Sequence, residues 1–386
     1  MVAALSQIPV DALVGAGLFA PAVCRRLVVK IGSSLLVTAE GQVRRAWLAD
    51  LVAALAARRA QGQQILVVSS GAVALGARRL KLAKGGRASL EDAQAAAAVG
   101  QIELAQVYAE LFAGHGVQAA QMLLTLDDLE DRRRYLNVRA TADRLVEAGA
   151  VPVINENDTV ATAEIRFGDN DRLAARVGQA VEADGVILLS DIDGLYTGDP
   201  KRDPDATLIP LVPVLTPEIE AMAGGTTGMG SGGMVSKLQA ARIAASGGCH
   251  MAIISGKVDH PLARFESQGI GTVFPAPEAA PVARKRWLAG RLTVAGTLVI
   301  DDGAVTALRQ GRSLLPAGVR AVSGGFQRGD VVDIAGPDGR VVARGLAGYP
   351  SDEAVRLCGR KSHEIEAVLG YAPRAAMIHR DDLVML

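Results

Sequence analysis

Five short apolar runs constrain this chain most, because none shows the polar alternation of a half-exposed strand. They are LVVKIG (27–32), QILVVSSG (64–71), VPVINEND (151–158), GVILLSD (185–191) and HMAIISG (250–256). Runs this rich in Val, Ile and Leu are typical of strands buried on both faces of a parallel sheet. Segments with helical spacing separate them, at 44–60, 91–112, 137–148 and 236–246. The alternation predicts an α/β fold, an αβα sandwich with a mostly parallel central sheet.

Charge and composition exclude several classes of protein. The 386 residues include 41 basic and 41 acidic side chains, so the formal charge is zero, which argues against bulk nucleic acid or an anionic membrane as the main partner. The 49% hydrophobic content excludes a largely disordered chain. Three cysteines without a CxxC pair fit a reducing compartment and no thiolate zinc site. We therefore expect a cytoplasmic protein without a membrane span.

Shifts in sequence character predict the domain boundaries. Residues 1–24, interrupted by two prolines and an aspartate, are expected to be a loose N-terminal extension, with a targeting segment as the alternative. The α/β domain is expected over 25–275, and a linker rich in proline and basic residues over 276–286. A small, mostly β domain follows over 287–386, with a hairpin turn at Pro337-Asp338-Gly339.

Two of the predicted strands end in residues suited to binding phosphate. Lys30 ends the first run and is followed by Gly32-Ser33-Ser34, while Ser69-Ser70-Gly71-Ala72 leads from the second run into a helix. Small residues at such a turn let backbone amides approach an anion closely. A strand-end lysine beside an ordinary turn, and a serine that merely caps a helix, remain alternatives.

A dense polar cluster follows the third run. Within seventeen residues, seven acidic or amide side chains form two short groups: Asn155, Glu156, Asn157 and Asp158, then Asp169, Asn170 and Asp171. Such a cluster can hydrogen-bond an ammonium group or an amino acid, and a solvated loop is the alternative. Magnesium in phosphoryl transfer relies largely on substrate phosphates, so these carboxylates are not assigned as a metal site.

Two later segments suit a nucleotide. Ser190-Asp191 and the residues after it are typical of a loop around a base or ribose, although an ordinary β–α turn is the alternative. Glycines crowd residues 224–233 before Lys237 opens a helix, an arrangement that can close over phosphates. This is not a Walker A motif, because Lys237 follows no glycine and precedes no Ser or Thr. Five scattered histidines weaken any zinc-hydrolase or Ser-His-Asp interpretation.

Together these motifs resemble the glutamate 5-kinases, a branch of the amino acid kinase family. The resemblance covers about residues 27–382 and is carried by VVKIGSS, VSSGAVALG, AQMLLTLDDLEDR, VPVINENDTVATAEIRFGDND, LLSDIDGLYTGDP and GMGSGGMVSKLQAA. The tail, with SLLPAGV and AMIHRDDLV, resembles a PUA domain. The resemblance implies transfer of phosphate from ATP to the γ-carboxylate of L-glutamate with Mg²⁺, as the first step of proline biosynthesis, and feedback inhibition by proline at the glutamate site.

The resemblance also implies roles for individual residues. Lys30 and Lys237 match the lysines that stabilise the transferred phosphoryl group, and Asp171 the aspartate that organises them. The positions implied for glutamate are Ser70, Gly71, Asn155, Glu156, Asp158 and Asn170. The positions implied for ATP are Lys30, Ser190, Asp191, Ser231, Gly232, Gly233, Met234, Val235, Ser236 and Lys237.

Other functions and partners are also open from the sequence. A kinase of the same fold that acts on acetylglutamate, aspartate, UMP or a small phosphate is the nearest alternative, and the polar cluster favours a free amino acid as substrate. An RNA-binding role for the tail is disfavoured, because residues 287–386 contain 12 Lys/Arg and 11 Asp/Glu, a net charge of +1. The resemblance further implies a homo-oligomer, dimer or tetramer, and glutamyl phosphate reductase as a partner.

Overall fold

A computed structural model describes residues 10–160, 169–200, 202–223, 233–279, 294–371 and 375–386. The chain divides into two compact units, which are treated separately below. The α/β unit comprises Met1–Asp131 and Asn137–Ala280, and the tail unit comprises Arg132–Leu136 and Pro281–Leu386. The predicted boundaries at 275 and 287 stay predictions, because residues 280–293 lie outside the described ranges.

Strands and helices alternate through the α/β unit. Its strands are β1 Arg26–Ile31, β2 Gln64–Val68, β3 Ala119–Leu124, β4 Val151–Glu156, β5 Gly185–Ser190, β6 His250–Ser255 and β7 Thr272–Phe274. The helices of residues 10–279 are α1 Val10–Gly17, α2 Ser33–Leu36, α3 Arg45–Ala60, α4 Ala72–Arg79, α5 Leu90–Ala113, α6 Leu126–Glu130, α7 Arg132–Glu147, α8 Asp169–Ala180, α9 Pro217–Met222, α10 Met234–Ser246 and α11 Pro261–Gln268. A short 3₁₀ turn lies at Ala83–Gly85.

The seven strands form one sheet in the order β3-β4-β2-β1-β5-β6-β7. All neighbours are parallel except β6 and β7. The five apolar runs form the five central strands, which confirms the predicted sandwich. The two edge strands were not predicted, because β3 has exposed positions that interrupt its apolar pattern and β7 has only three residues.

Side chains along β1 point alternately to the two faces of the sheet. Leu27, Val29 and Ile31 belong to the core cluster that includes Leu48 and Leu51 of α3. Successive strand side chains point to opposite faces of a sheet, so Lys30 lies on the other face. Helix α8 packs against β1, and it begins at the polar cluster noted in the sequence.

The structure differs from the sequence expectation of a loose extension over residues 10–24. Helix α1 is formed there and packs against α11. Phe19 and Cys24 have no exposed surface, and the Phe19 ring lies 5.7 Å from that of Phe265. The Arg58 guanidinium also donates to the Phe19 carbonyl at 2.9 Å. Pro21 follows a helix that packs into the core, while residues 1–9, with Pro9, lie outside the described ranges.

The tail unit is mostly β, as predicted. Its strands are β8 Gly296–Ile300, β9 Val319–Gly324, β10 Val331–Ala335, β11 Val341–Leu346 and β12 Leu383–Met385, in the sheet order β12-β11-β10-β8-β9. Its short helices are α12 Asp302–Arg309, α13 Ser351–Leu357 and α14 Ile365–Leu369, with 3₁₀ turns at Pro316–Gly318, Ser362–Glu364 and Arg380–Asp382.

The predicted hairpin is present in the tail unit. Strands β10 and β11 pair antiparallel across the Pro-Asp-Gly turn, where Gly339 takes a φ of +78°. Leu298, Ile334 and Ala343 are buried in the core of this unit. Across the described ranges of the chain, no helix has both the length and the apolarity needed to cross a bilayer.

Candidate functional site

The carboxyl ends of four adjacent strands bring the predicted polar residues to one edge of the sheet. The order β4-β2-β1-β5 is parallel throughout, so Asn155, Lys30 and Ser190 end their strands on the same side. Ser70 follows β2 on that side. Ligands of open α/β sheets bind at this edge, at the point where the strand order reverses. Here that point is at β1, which has β2 on one side and β5 on the other.

Three charged side chains meet at the end of β1. The Lys30 Nζ atom lies 2.5 Å from one carboxylate oxygen of Asp171, and the Lys237 Nζ atom lies 3.0 Å from the other. Exposed fractions are 7% for Lys30, 1% for Asp171 and 5% for Lys237. Helices α8 and α10 pack together, which places Asp171 and Lys237 side by side in their first turns. The three groups sum to one positive charge, which suits an anionic ligand.

Burial and pairing compete in setting the pKa values of this cluster. Burial lowers the pKa of Lys30, because desolvation of its ammonium group outweighs the attraction of Asp171. Burial would raise the pKa of Asp171, but the two lysines together overcome it and hold that pKa below its usual range. The carboxylate therefore stays ionised, and it keeps two cations together in a region that excludes water.

A second contact joins the end of β2 to the start of α8. The Asn170 amide donates to the Ser70 hydroxyl at 2.6 Å, so two residues that the resemblance assigns to glutamate binding are in contact. Ser70 does not cap helix α4. Its N-cap is Gly71, with a φ of +105°, a left-handed conformation that strains any other residue. Because residue 71 is glycine, this backbone turn can lie close to Val37, and the Ser70 side chain can bond to Asn170 of α8.

Two longer helices of this edge begin at glycine rather than at a capping side chain. Gly71 precedes α4 and Gly233 precedes α10, and neither helix start receives a side-chain cap. Elsewhere Ser89 and Thr125 cap α5 and α6 in the usual way. An uncapped helix start directs backbone N–H groups and the positive end of the helix dipole at a ligand, and phosphate is the usual anion bound.

A cavity of about 300 Å³ lies beside the end of β4. Its polar lining includes Gln101 of α5, Glu156 and Asp158. Loss of solvation raises the pKa of Asp158 to about 6. The cavity thus presents two carboxylates, one of which changes charge just below neutral pH. This is the chemistry expected of a pocket that receives an ammonium group.

The remaining predicted residues are placed less completely. Asn155 is 2% exposed, and its amide donates to Gln101 Oε1 at 2.8 Å. Ser190 ends β5 with its hydroxyl 3.3 Å from the exposed Asp191 carboxylate. Met234, Val235 and Ser236 form the first turn of α10 with Lys237. Ser231 and Gly232, with most of the glycine-rich segment, lie outside the described residues.

Sequence reasoning missed two residues that support this edge. Gln101 both lines the cavity and bonds to Asn155, and the fully buried Tyr108 hydroxyl lies 2.9 Å from the Ser69 hydroxyl. Both lie on α5, which packs closely on α4: a Cβ at Gly100 would lie 1.9 Å from the Ala72 carbonyl. A single glutamine in an Ala-rich helix carries no motif, so only the spacing of glycines in α4 and α5 could have pointed to this contact.

Comparison with known proteins agrees with this geometry. Residues 25–255 match the sequence model of the amino acid kinase family, and residues 296–369 match the PUA domain. A glutamate 5-kinase of Novosphingobium aromaticivorans is 62% identical over 365 residues, which are 94% of this chain and 96% of that protein. Glutamate 5-kinases of Sphingopyxis alaskensis and Zymomonas mobilis are 62% and 59% identical, over 96% and 95% of this chain and 100% and 93% of theirs.

Proposed function

The chain belongs to the glutamate 5-kinase family of amino acid kinases and is a phosphotransferase, and on that basis we propose that it converts ATP and L-glutamate to ADP and L-glutamyl 5-phosphate, the first step of proline biosynthesis. One observation carries the proposal most directly. Lys30 and Lys237 share the buried Asp171 carboxylate, at the same edge of the sheet as a cavity lined by carboxylates. This edge suits a phosphoryl group beside an amino acid.

The reaction requires charge stabilisation rather than a general base. A glutamate γ-carboxylate has an ordinary pKa of about 4.3, so it is already a nucleophile at neutral pH. One of its oxygens attacks the γ-phosphorus of ATP, the bond from phosphorus to the bridging oxygen breaks, and the electron pair leaves with ADP. Lys30 and Lys237 offset the negative charge that spreads over the phosphoryl oxygens. Asp171 holds both ammonium groups in position.

Magnesium fits this site mainly through the nucleotide. Among the described residues, no three His, Cys, Asp or Glu side chains are grouped as a ligand set. Mg²⁺ in kinases takes much of its coordination from substrate phosphates and water, with one or two carboxylates from the protein. Asp191, exposed just after β5, is the carboxylate placed to assist, because both oxygens of Asp171 already pair with lysines. When bound, Mg²⁺ supplies further neutralisation of the phosphate charge.

The two ends of glutamate are proposed to bind at different strands. The γ-carboxylate lies toward β1 and its lysine, and the ammonium group lies toward the carboxylates that follow β4. Adjacent strands are about 4.8 Å apart, so the ends of β1 and β4, two positions apart, are separated by about 10 Å. An extended glutamate flanked by side chains spans that gap. Ser70 and Asn170 lie between, and Gly233–Lys237 with Ser190 and Asp191 serve ATP.

Proline is proposed as a feedback inhibitor that competes for the amino-acid site. It carries an ammonium and a carboxylate at the same spacing as the α-carbon groups of glutamate, and the carboxylates of Glu156 and Asp158 in the cavity suit the ammonium group. We expect Asp158→Ala to raise the glutamate KM and to weaken proline inhibition together. Unchanged glutamate and proline responses would remove Asp158 from the amino-acid site.

A substrate panel tests the proposed function. ADP release is measured with glutamate, N-acetylglutamate, aspartate and UMP, each with and without Mg²⁺ and with and without proline. We expect Mg²⁺-dependent turnover with glutamate only, reduced by proline. Turnover with another substrate and none with glutamate would assign the chain to a different activity of the same fold. Turnover of glutamate that ignores proline would remove only the inhibitor.

Three further parts of the proposal concern assembly and location. We propose a homo-oligomer, a dimer or tetramer, which light scattering during size-exclusion chromatography measures directly. Glutamyl phosphate reductase is proposed as the partner that receives the acyl phosphate before water hydrolyses it. A cytoplasmic location is supported by free thiols, since Cys24 and Cys249 are buried and unpaired.

A further inference from the structure

Two buried asparagine amides of the sheet edge share one arrangement. The Asn155 Nδ2 atom donates a hydrogen bond to Gln101 Oε1, and the Asn170 Nδ2 atom donates one to Ser70 Oγ. In both, the Oδ1 atom is buried and makes no hydrogen bond within the described part of the chain. A buried acceptor without a partner costs stability, so such atoms call for an explanation.

The two asparagines flank the same turn. The Ser69 backbone N–H donates to the Ile154 carbonyl, directly before Asn155, and Asn170 bonds to Ser70. Both asparagines therefore lie at the end of β2, and Asn155 also bonds to Gln101, which lines the cavity together with Glu156 and Asp158. An ammonium group has three N–H donors, and amide and carboxylate oxygens at this place are the acceptors it needs.

We propose that Gln101 is a positioning residue that selects a free amino group on the substrate. Its Oε1 atom accepts from Asn155 Nδ2 and so fixes the amide with Oδ1 turned to the substrate ammonium. Without that acceptor the amide can rotate, and its NH₂ group would then oppose an ammonium. The inference rests on the proposed function, because it concerns the amino-acid end of that substrate.

The packing of α5 explains how one glutamine can hold this geometry. Gly100 precedes Gln101 and meets α4 so closely that any side chain at Gly100 would overlap the Ala72 carbonyl. Helix α4 starts at Gly71, next to Ser70. The contact therefore fixes the position of Gln101 relative to the turn that carries Ser70, and the orientation of Asn155 follows from it.

Paired substitutions distinguish positioning from direct substrate contact. Gln101→Met has nearly the shape of glutamine but neither hydrogen-bonding group, while Gln101→Glu keeps the acceptor for Asn155 and loses the donor. We expect Gln101→Met to raise the glutamate KM by about 10- to 150-fold, the range for a hydrogen bond to a charged group. We expect Gln101→Glu to stay near the wild-type KM, with kcat and the ATP KM unchanged in both.

The matched controls lie on the opposite face of the same helix. Gln106 is exposed and bonds only to Glu110 in the described structure, so Gln106→Met and Gln106→Glu repeat the chemistry away from the site. Both should leave the glutamate KM unchanged. Glutarate, which is glutamate without its amino group, serves as a competing ligand. Its inhibition constant should be the same for the wild type and Gln101→Met.

Each result decides one question. A Gln101→Met enzyme with wild-type glutamate KM overturns the proposal, as does a Gln101→Glu enzyme with a KM as high as that of Gln101→Met. An equal loss of affinity for glutarate and glutamate also overturns it, because the effect would then not involve the ammonium group. If Gln101→Met fails to fold, Gln101→Leu, which also lacks the acceptor for Asn155, takes its place in each comparison. A wild-type enzyme inactive on glutamate would instead refute the proposed function.

Discussion

A buried ion cluster in the α/β unit contrasts with an exposed ion pair in the tail unit. Lys30, Asp171 and Lys237 are each at most 7% exposed and form one cluster at the sheet edge. In the tail unit, the Arg320 and Asp301 side chains pair at 2.7 Å but are 61% and 30% exposed. This tail pair follows the usual rule that charges stay in water, whereas the α/β cluster gathers three buried charges at one place. Single charged residues are also buried elsewhere, Arg58 in the α/β unit and Asp382 in the tail.

The difference in burial indicates that the cluster serves the chemistry of the site rather than the stability of the fold. A buried ion cluster is weak support for stability, because the loss of hydration offsets most of the attraction between the charges. A fold keeps such a cluster where the chemistry needs charge in a site that excludes water. The helix starts agree: Asp301 caps α12 in the tail, whereas Gly71 and Gly233 leave α4 and α10 uncapped at the cluster.

Removing the shared carboxylate should produce the largest effect on stability. In Asp171→Asn two ammonium groups remain buried without their counter-charge, and we expect a loss of about 3–5 kcal/mol in the free energy of unfolding. Arg320→Met removes an exposed pair from the tail and should cost at most about 1 kcal/mol. Urea denaturation measures both. Equal losses in the two variants would erase the contrast between the units.

The lysines should affect turnover more than substrate binding. Lys30→Ala and Lys237→Ala each remove a donor to the transferred phosphoryl group, so we expect kcat to fall by about 10²- to 10³-fold. The glutamate KM should change far less. Steady-state kinetics with Arg320→Met as the surface control gives the comparison. Near-normal turnover in either lysine variant would show that its assignment is wrong.

The pH dependence of kcat/KM for glutamate tests the amino-acid side of the site. The pKa of Asp158 is raised to about 6, so its negative charge is lost as the pH falls through 6. We expect kcat/KM for glutamate to fall about five- to sixfold from pH 6 to pH 5, while the γ-carboxylate stays mostly ionised. Asp158→Asn should give a low and flat profile.

The same shift has a consequence for stability with the opposite sign. The folded pKa of Asp158 lies above its ordinary value of 3.8, so protonation favours the folded state. The unfavourable contribution of this carboxylate is complete above pH 6 and disappears below about pH 4. Asp158→Asn should therefore be as stable as the wild type or more stable at pH 7. A loss of stability at pH 7 would contradict the assignment of the shift to desolvation.

The smallest expected effects come from substitutions at two glycines with a left-handed backbone conformation. Gly71 in the α/β unit and Gly339 in the tail have φ values of +105° and +78°. Alanine at either position should cost about 1–2 kcal/mol of backbone strain. A Cβ at Gly71 would also lie 3.1 Å from Val37, whereas Gly339 has no atom within 4 Å. Gly71→Ala should thus lower activity by displacing Ser70, and Gly339→Ala should leave it unchanged; equal activities would contradict this.

Sequence reasoning reached the central sheet for a physical reason and the three residues of the charged cluster through the family resemblance. Parallel strands buried on both faces give continuous apolar runs, and the polar residue at the end of a run, such as Lys30 or Asn155, is fixed at the functional edge. It did not reach Phe19 or Gln101. Each acts through a tertiary contact with a distant segment, Phe265 for the first and Asn155 for the second, and neither leaves a local pattern.

A single-turnover measurement of phosphoryl transfer tests the central claim most directly. Enzyme in excess over radiolabelled ATP is mixed with glutamate and Mg²⁺, and ADP formation is followed for the wild type, Lys237→Ala and Arg320→Met. The buried cluster predicts that Lys237→Ala slows the transfer step by about 10²- to 10³-fold while Arg320→Met matches the wild type. A transfer step as fast in Lys237→Ala as in the wild type would contradict the claim that this cluster performs the chemistry.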